Sequence, residues 1–297
     1  MSRSSSTAND AATRELLDGY SLEMTGKYVP ELEQARRLLP PGTRVTVTYL
    51  AGEDLELRVS AAKAVKDLGF VPVPHIPARR VDSTAELEEF LDRLQQIGAT
   101  EHVFALGGDP ADPSGPYPDA LSIIRSGLLE KYGVREVSIA GYPEGHPDIP
   151  NDVLWQHLEA KHAALKEQGM GCVILTQFAF EAEPVVGWID AVRAMGIDTQ
   201  IRVGVSGPVG IIRLVGFARD FGVRANATAV GRYAFSLRAL VGRAGPTRFV
   251  SALAEKLGQD PVSDDVRLHF YPFGGLLASC EWASRHAAEI TGRRARR

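Results

Sequence analysis

The stretch Ser138-Ile139-Ala140-Gly141-Tyr142-Pro143-Glu144-Gly145-His146-Pro147-Asp148 runs from an apolar strand pattern into a turn carrying Tyr, Glu and His, and a helical pattern follows. Parallel α/β folds build their sites at the carboxyl ends of strands, where reactive side chains of this kind would stand. The arrangement recurs along the chain. Glu23 lies near the end of Tyr20-Ser21-Leu22-Glu23-Met24, and a carboxylate on an apolar strand is costly to bury unless a reaction uses it or an arginine pairs with it. Thr48 and Tyr49 end a second apolar run. His75, in Val73-Pro74-His75-Ile76, reads either as a hydrogen-bonded structural imidazole or as a catalyst. In Gly107-Gly108-Asp109-Pro110 the glycines admit a ligand to the backbone. Asp109 there either accepts from a ring NH or amino group or caps a helix. Gln177 can donate and accept at once, and His269-Phe270-Tyr271-Pro272-Phe273 makes an aromatic rim. Together these residue types suit a planar, polar heterocycle held between aromatics.

Other chemistries find no residues. No Cys/His cluster has metal-ligand spacing, and no Gly-x-Ser-x-Gly elbow or Walker loop is present, so no metal site and no nucleophile are expected. The turn from His146 to Asp148 offers one imidazole beside prolines, a poor metal site. Lys and Arg total 33 against 37 Asp and Glu, a formal net charge of -4, which argues against nucleic acid as a partner. The basic tail Arg293-Arg294-Ala295-Arg296-Arg297 reads as a solvated end rather than a binding arm. No apolar run approaches the ~18 residues needed to span a bilayer, so no membrane partner is expected. The two cysteines, Cys172 and Cys280, sit in apolar neighbourhoods and read as buried free thiols, which implies a reducing, cytoplasmic setting.

The elements that must position these groups alternate. Val- and Ile-rich strand patterns cover Tyr20 to Met24, Arg44 to Leu50, Val71 to Ile76, and His102 to Leu106. They continue with Glu136 to Tyr142, Gly171 to Phe178, Gln200 to Val205, and Arg267 to Tyr271. Between them run helical patterns: Leu55 to Leu68, with Leu55, Val59, Ala62 and Val65 on one face; Glu86 to Ile97, with Ser83 and Thr84 as caps; and a helix capped by Asn151 or Asp152, reaching Gln168 and ended by Gly169. Eight continuous apolar strands separated by helices predict a parallel sheet buried on both faces, and no Gly-x-Gly-x-x-Gly follows the first strand. The expected fold is a single-domain (β/α)8 TIM barrel over residues 14–297, preceded by a flexible leader over 1–13. Arg224 to Asp265 holds two helical patterns before the last strand.

The strand-end segments resemble, in kind and in order, those of the methylenetetrahydrofolate reductase family. They are the first-strand Glu, Val47-Thr48-Tyr49, Pro74-His75, Gly108-Asp109-Pro110, Tyr142-Pro143-Glu144-Gly145-His146-Pro147, Thr176-Gln177-Phe178 and His269-Phe270-Tyr271. The resemblance runs from strand one to strand eight and implies a catalytic barrel without a regulatory domain. It implies reduction of 5,10-methylenetetrahydrofolate to 5-methyltetrahydrofolate in one-carbon metabolism and methionine biosynthesis, with NAD(P)H as reductant and hydride relayed by FAD. Glu23 would be the general acid that helps open the five-membered ring to an iminium, and Asp109 would hold the pterin and tune the flavin. Gln177, Ile212 and Tyr271 would contact the folate substrate. Thr48, His75, Gly108 and Tyr142 would line the flavin with His146 nearby, and Lys161 would face its phosphates.

The sequence also departs from the family pattern. Met24-Thr25-Gly26-Lys27 replaces a Phe-Phe-Pro-Pro-like segment, and Gly107 stands where an Arg commonly precedes Gly-Asp. Ile212 replaces a substrate-packing Phe, and Gly275 replaces an Arg after the last strand. On the helix after the Tyr-Pro-Glu-Gly-His-Pro turn, an Asn and a Lys become Lys161 and Leu165, or His162 and Lys166 if the alignment slips by one. Arg79 or Arg80, just beyond strand three, is a candidate to restore the lost charge. Direct hydride transfer from NAD(P)H without flavin therefore stands beside the relay. A different folate-linked one-carbon substrate of a demethylation pathway and a non-catalytic folate- or flavin-binding protein stand further off. NADH and NADPH are not distinguished, and a homo-oligomer stays open.

Overall fold

Parallel pairing of each strand with the next, and of the eighth with the first, closes the sheet into a barrel in the order β1 to β8. The computed structural model describes residues 2–50, 52–179, 181–209, 246–258 and 265–295. The strands are β1 (Ser21–Met24), β2 (Arg44–Val47), β3 (Val71–Pro77), β4 (His102–Leu106), β5 (Glu136–Gly141), β6 (Gly171–Phe178), β7 (Gln200–Ser206) and β8 (Val266–Tyr271). The described helices are α1 (Ser2–Leu17), α2 (Val29–Ala35), α3 (Leu55–Asp67), α4 (Thr84–Gln96), α5 (Ala120–Ile124), α6 (Leu128–Lys131), α7 (Asn151–Glu167), α8 (Ala182–Ala194), α9 (Thr247–Leu257) and α10 (Leu276–Ala295). The (β/α)8 barrel expected from the apolar runs is the observed architecture.

Alternation along the strands divides the apolar residues between two cores. Leu22, Met24, Val45, Val47, Ile139, Ile174 and Phe270 join the large cluster shared with the helices. Val73, Phe104 and Leu175, with Leu106, Ala140 and Tyr271 against them, form a separate cluster inside the barrel. The period of two thus places Ser21, Glu23, His75, His269 and Tyr271 on the inward face. At the amino ends of the strands, Arg44 pairs with Glu136, His102 lies 3.2 Å from the same carboxylate, and Arg202 donates to the Gly19 carbonyl at 2.9 Å. Charge is thereby neutralised at the end of the barrel away from the site.

Residues from Ser2 onward belong to α1, and burial of Thr13, Leu16 and Leu17 seats the end of that helix on the body. One expectation needs correction. Neither Asn151 nor Asp152 caps α7. Pro150 takes that position with extended backbone, and its fixed φ serves the helix start without a side-chain cap. Ser83 does cap α4, accepting from the Glu86 amide at 3.1 Å, and Gly169, with φ of 68°, ends α7. Cys280 is buried and Cys172 half-buried, and both are free thiols. Most of the region from Arg224 to Asp265, and Ile212 with it, lies outside the described residues.

The β6–β7 register is irregular between Leu175 and Phe178, directly at the strand end that carries Gln177. Gly204 makes this bulge fit. Its amide donates to Thr176 Oγ1 at 2.9 Å, and a Cβ there would lie 2.5 Å from the Thr176 carbonyl oxygen and 2.8 Å from that of Gln177. Backbone atoms on both sides cannot retreat without breaking the ladder. Gly204→Ala should therefore destabilise the fold by roughly 1–3 kcal/mol, as overpacking does, read as a fall in midpoint in thermal unfolding. An unchanged midpoint would show that the bulge tolerates a side chain.

Candidate active site

The inward residues at the carboxyl end of the barrel converge on Glu23. Its side chain is 17% exposed, and His75 Nε2 lies 3.7 Å from Oε2. Burial raises the carboxyl pKa to about 7, and the Thr48 hydroxyl opposes part of that rise. Burial, and secondarily the charge of Arg58, lowers the His75 pKa to about 3, so the imidazole is neutral. One step deeper, the Ser21 hydroxyl and His269 Nδ1 are 2.8 Å apart across the β1–β8 seam. The His269 and His75 Nε2 atoms are both buried without a hydrogen-bond partner. A carboxyl shielded from solvent beside a neutral imidazole is equipped to carry a proton at neutral pH.

Aromatic rings frame the opening. Tyr271 donates to the Thr176 carbonyl at 3.0 Å, and its ring stacks on Phe273 at 5.8 Å and meets Phe178 edge-on. Burial, with the Glu23 charge behind it, holds the Tyr271 phenol well above the usual range, so it stays protonated. Tyr142 meets His146 edge-on at 5.4 Å, and His146 Nδ1 accepts from the Asp148 amide at 3.1 Å, which leaves Nε2 as the ring's donor. The Gln177 carbonyl oxygen accepts from the Phe178 amide at 3.1 Å, leaving its NH2 group for a ligand. Glu23, Thr48, His75, Tyr142, His146, Gln177 and Tyr271 therefore stand at one end of the barrel.

A family model described as methylenetetrahydrofolate reductase matches residues 22–212, about two thirds of the chain. The chain belongs to the methylenetetrahydrofolate reductase family. The Escherichia coli 5,10-methylenetetrahydrofolate reductase is 30% identical over 166 residues, covering 54% of this chain and 53% of that protein. Methylenetetrahydrofolate reductase 2 of Saccharomyces cerevisiae is 30% identical over 172 residues, 54% of this chain and 28% of that protein. The chain thus spans about half the length, or less, of these relatives. Among solved structures, an uncharacterized Clostridium thermocellum protein that binds two copies of 5-methyl-5,6,7,8-tetrahydrofolic acid shares the fold. It aligns with a TM-score of 0.53 at 11% identity, over 93% of this chain and 98% of that one.

Within this methylenetetrahydrofolate reductase barrel the remaining residues that the resemblance pointed to are set apart. Asp109 is 83% exposed on the rim and pairs with Arg80 at 2.8 Å. Gly108, with φ of 89°, turns the chain there as only glycine does readily. Lys161 does not reach the opening. It lies ten residues into α7, about 15 Å from Asn151 along the helix axis, and is only 8% exposed. Burial lowers its pKa to about 8, and its electrostatic neighbours are Cys172, at the start of β6, and Asp119. Leu165 is fully buried, and His162 faces Asp198 just before β7.

Lys161 thus offers no cation to flavin phosphates at the opening, and Lys166 lies in the last turn of the same helix. The face of α7 beside Tyr142 instead presents Leu154, Trp155 and Leu158, with Trp155 stacked on Trp188 of α8 at 5.8 Å. The start of α10, after β8, is also taken: Glu31 Oε2 accepts from the Leu276 amide at 2.9 Å. Arg79 donates to the Pro110 and Pro118 carbonyls, and Arg80 is engaged by Asp109. Among the described residues, those at the opening suit the ring end of FAD, and Lys161, Arg79, Arg80 and the start of α10 do not offer themselves to its phosphate end. Sequence reasoning missed Arg58 and the Ser21–His269 pair. Arg58 interrupts the apolar face of α3, which was its one visible signal.

A raised carboxyl pKa has a thermodynamic consequence. Between the ordinary value of 4.5 and about 7 the folded chain keeps a proton on Glu23 that the unfolded chain releases. Stability is then at its fullest below about 4.5 and is lost as pH rises through about 7. Glu23→Gln removes that loss, so its stability relative to the parent should grow by roughly 3 kcal/mol between pH 4.5 and pH 8. Denaturant unfolding of both proteins across that range would test it, and a pH-independent difference would place the carboxyl's titration elsewhere.

Proposed function

We propose that the chain reduces 5,10-methylenetetrahydrofolate to 5-methyltetrahydrofolate, taking hydride directly from NAD(P)H. The observation that carries this reading is the buried Glu23, 3.7 Å from His75 at the floor of an aromatic opening, in a barrel of this family. The substrate pterin lies in that opening, with the Gln177 NH2 group at its edge and the Tyr271 ring against its face. Glu23 delivers its proton to N10 as the N10–methylene bond breaks, which leaves an N5 iminium. Hydride from the dihydronicotinamide then adds to the iminium carbon, giving the N5-methyl product and NAD(P)+. The Glu23 carboxylate takes a proton from solvent before the next turnover. A buried acid with a pKa near the working pH is matched to this task.

Among the described residues, the burial of Lys161 on α7 and the occupation of the α10 start by Glu31 support direct transfer over a flavin relay. The retained Thr48, His75, Tyr142 and His146 favour a second reading, in which flavin binds through its ring alone. An absorbance spectrum after addition of excess FAD and removal of free ligand separates the two. Direct transfer expects no band near ~450 nm and NAD(P)H oxidation that depends on folate. A retained band that bleaches with NAD(P)H and returns with methylenetetrahydrofolate would establish the relay.

Glu23→Gln should still bind folate while turnover falls by about 10²–10⁴-fold, the usual worth of a positioned acid. Steady-state kinetics beside a folate-binding titration would measure both. Comparable turnover by variant and parent would remove Glu23 from the mechanism.

A further inference from the structure

Pro150, not Asn151, holds the capping position of α7, so the Asn151 carboxamide caps no helix amide. Among the described residues it has no hydrogen-bond partner. It borders a cleft of about 260 Å³, open to solvent on one side, that the proposed reaction leaves without a role. Asn151, Leu154, Trp155 and Leu158 are spaced by three, four and seven residues and so share one face of α7. Opposite them lie the end of β5, from Ala140 to Tyr142, and Trp188 of α8.

Two glycines make the room. A Cβ on Gly141 would lie 2.7 Å from the Trp188 ring, so glycine there lets that indole close on the strand end. A Cβ on Gly145, whose φ is 78°, would lie 2.9 Å from Asn151 Oδ1, and a side chain there would push the carboxamide aside. Trp188 is buried and stacks on Trp155, with ring centres 5.8 Å and planes 27° apart, which holds the Trp155 indole in one orientation. Trp155 itself is only half-buried. A fixed, partly bare indole with a free carboxamide one turn away suits a flat ring whose edge both donates and accepts.

We propose that this cleft is the adenine subsite for the nicotinamide dinucleotide: the adenine stacks on Trp155, and Asn151 reads its edge. Asn151 Oδ1 accepts from the exocyclic amino group, and its NH2 group donates to the adjoining ring nitrogen. The inference deepens the proposed reaction and rests on its use of NAD(P)H. Cleft and opening are continuous through Tyr142, which walls the cleft and meets His146 at the opening. The reductant's second ring therefore has a place beside the site where its first must react. The aminobenzoyl ring of folate offers no adjacent donor and acceptor on its rim, so it leaves Asn151 unread. FAD carries the same adenine, and the test separates the two dinucleotides.

Calorimetric titration with ADP-ribose, which has the adenine and no nicotinamide, tests the subsite whether or not the protein turns over folate. The parent should bind ADP-ribose, and Trp155→Leu should bind it about tenfold more weakly, as loss of one stacked base does. Asn151 is exposed, so Asn151→Ala tests the proposal even if Trp155→Leu fails to fold. Its partner probe is etheno-ADP-ribose, whose amino group is locked in an added ring and has no hydrogen to donate. The parent should prefer ADP-ribose to this analogue by about fivefold, the effect of one hydrogen bond, and Asn151→Ala should not distinguish them. Where folate turnover is present, Trp155→Leu should raise the KM for NAD(P)H about tenfold and leave that for folate in place.

A parent that does not bind ADP-ribose at millimolar concentration would overturn the proposal, and so would an affinity that neither variant moves. FAD that displaces ADP-ribose and stays bound through gel filtration would overturn it too, since the cleft would then belong to a flavin. If the parent fails to oxidise NAD(P)H with folate but binds ADP-ribose through Trp155 and Asn151, the proposed reaction falls and the adenine subsite is upheld.

Discussion

Keeping a carboxyl protonated inside the barrel is the constraint on which the rest of the site depends. A carboxylate that is merely buried finds a cation, and its pKa falls; Glu136, between Arg44 and His102, is held at about 2. Glu23 is spared this because the inward cations of the described strands lie at the other end of the barrel. Around Glu23 the polar groups are neutral: a hydroxyl, two imidazoles and a phenol. The same barrel therefore holds one ionised and one protonated glutamate, separated by the height at which each strand register places them.

That sorting by height explains what the sequence could and could not reveal. Val- and Ile-rich runs gave the strands because each outward residue must pack under a helix, and strand ends named the site because the register fixes which residues reach the opening. Lys161 misled because a helix has depth as well as a face. Counted from the turn it aligns with a flavin-facing position, but it lies near the foot of α7 beside Cys172. Arg58 escaped notice for the converse reason. Helical periodicity treats a polar residue on an apolar face as noise, and only tertiary packing shows the rings of Tyr49 and Phe90 closing over it.

The opening shows a second kind of selectivity. Its polar and aromatic side chains keep the family's residue types, whereas the described helix starts at α7 and α10 do not offer free amides to a phosphate. One is flanked by Trp155 and Trp188, the other is satisfied by Glu31. A helix amino terminus attracts anions through its free amides, so an internal carboxylate placed there competes directly with a phosphate. Among the described residues, this mouth offers stacking surfaces and ring-edge hydrogen-bonding groups more than charge.

Closure of the barrel is what raises the Glu23 carboxyl above the ordinary carboxylic-acid range. Ser21 and His269 are 248 positions apart, and Tyr271, whose ring walls Glu23, comes from the same last strand. Before β8 joins β1, one side of Glu23 is open to water, and the main cause of its raised pKa is missing. The acid is therefore not a property of β1, whose sequence would suit a solvated glutamate equally well. It is a property of the seam. The last contacts along the chain complete the environment of one of the first residues, so an opening of the β1–β8 pair would return Glu23 towards an ordinary carboxylate without altering a residue of the site.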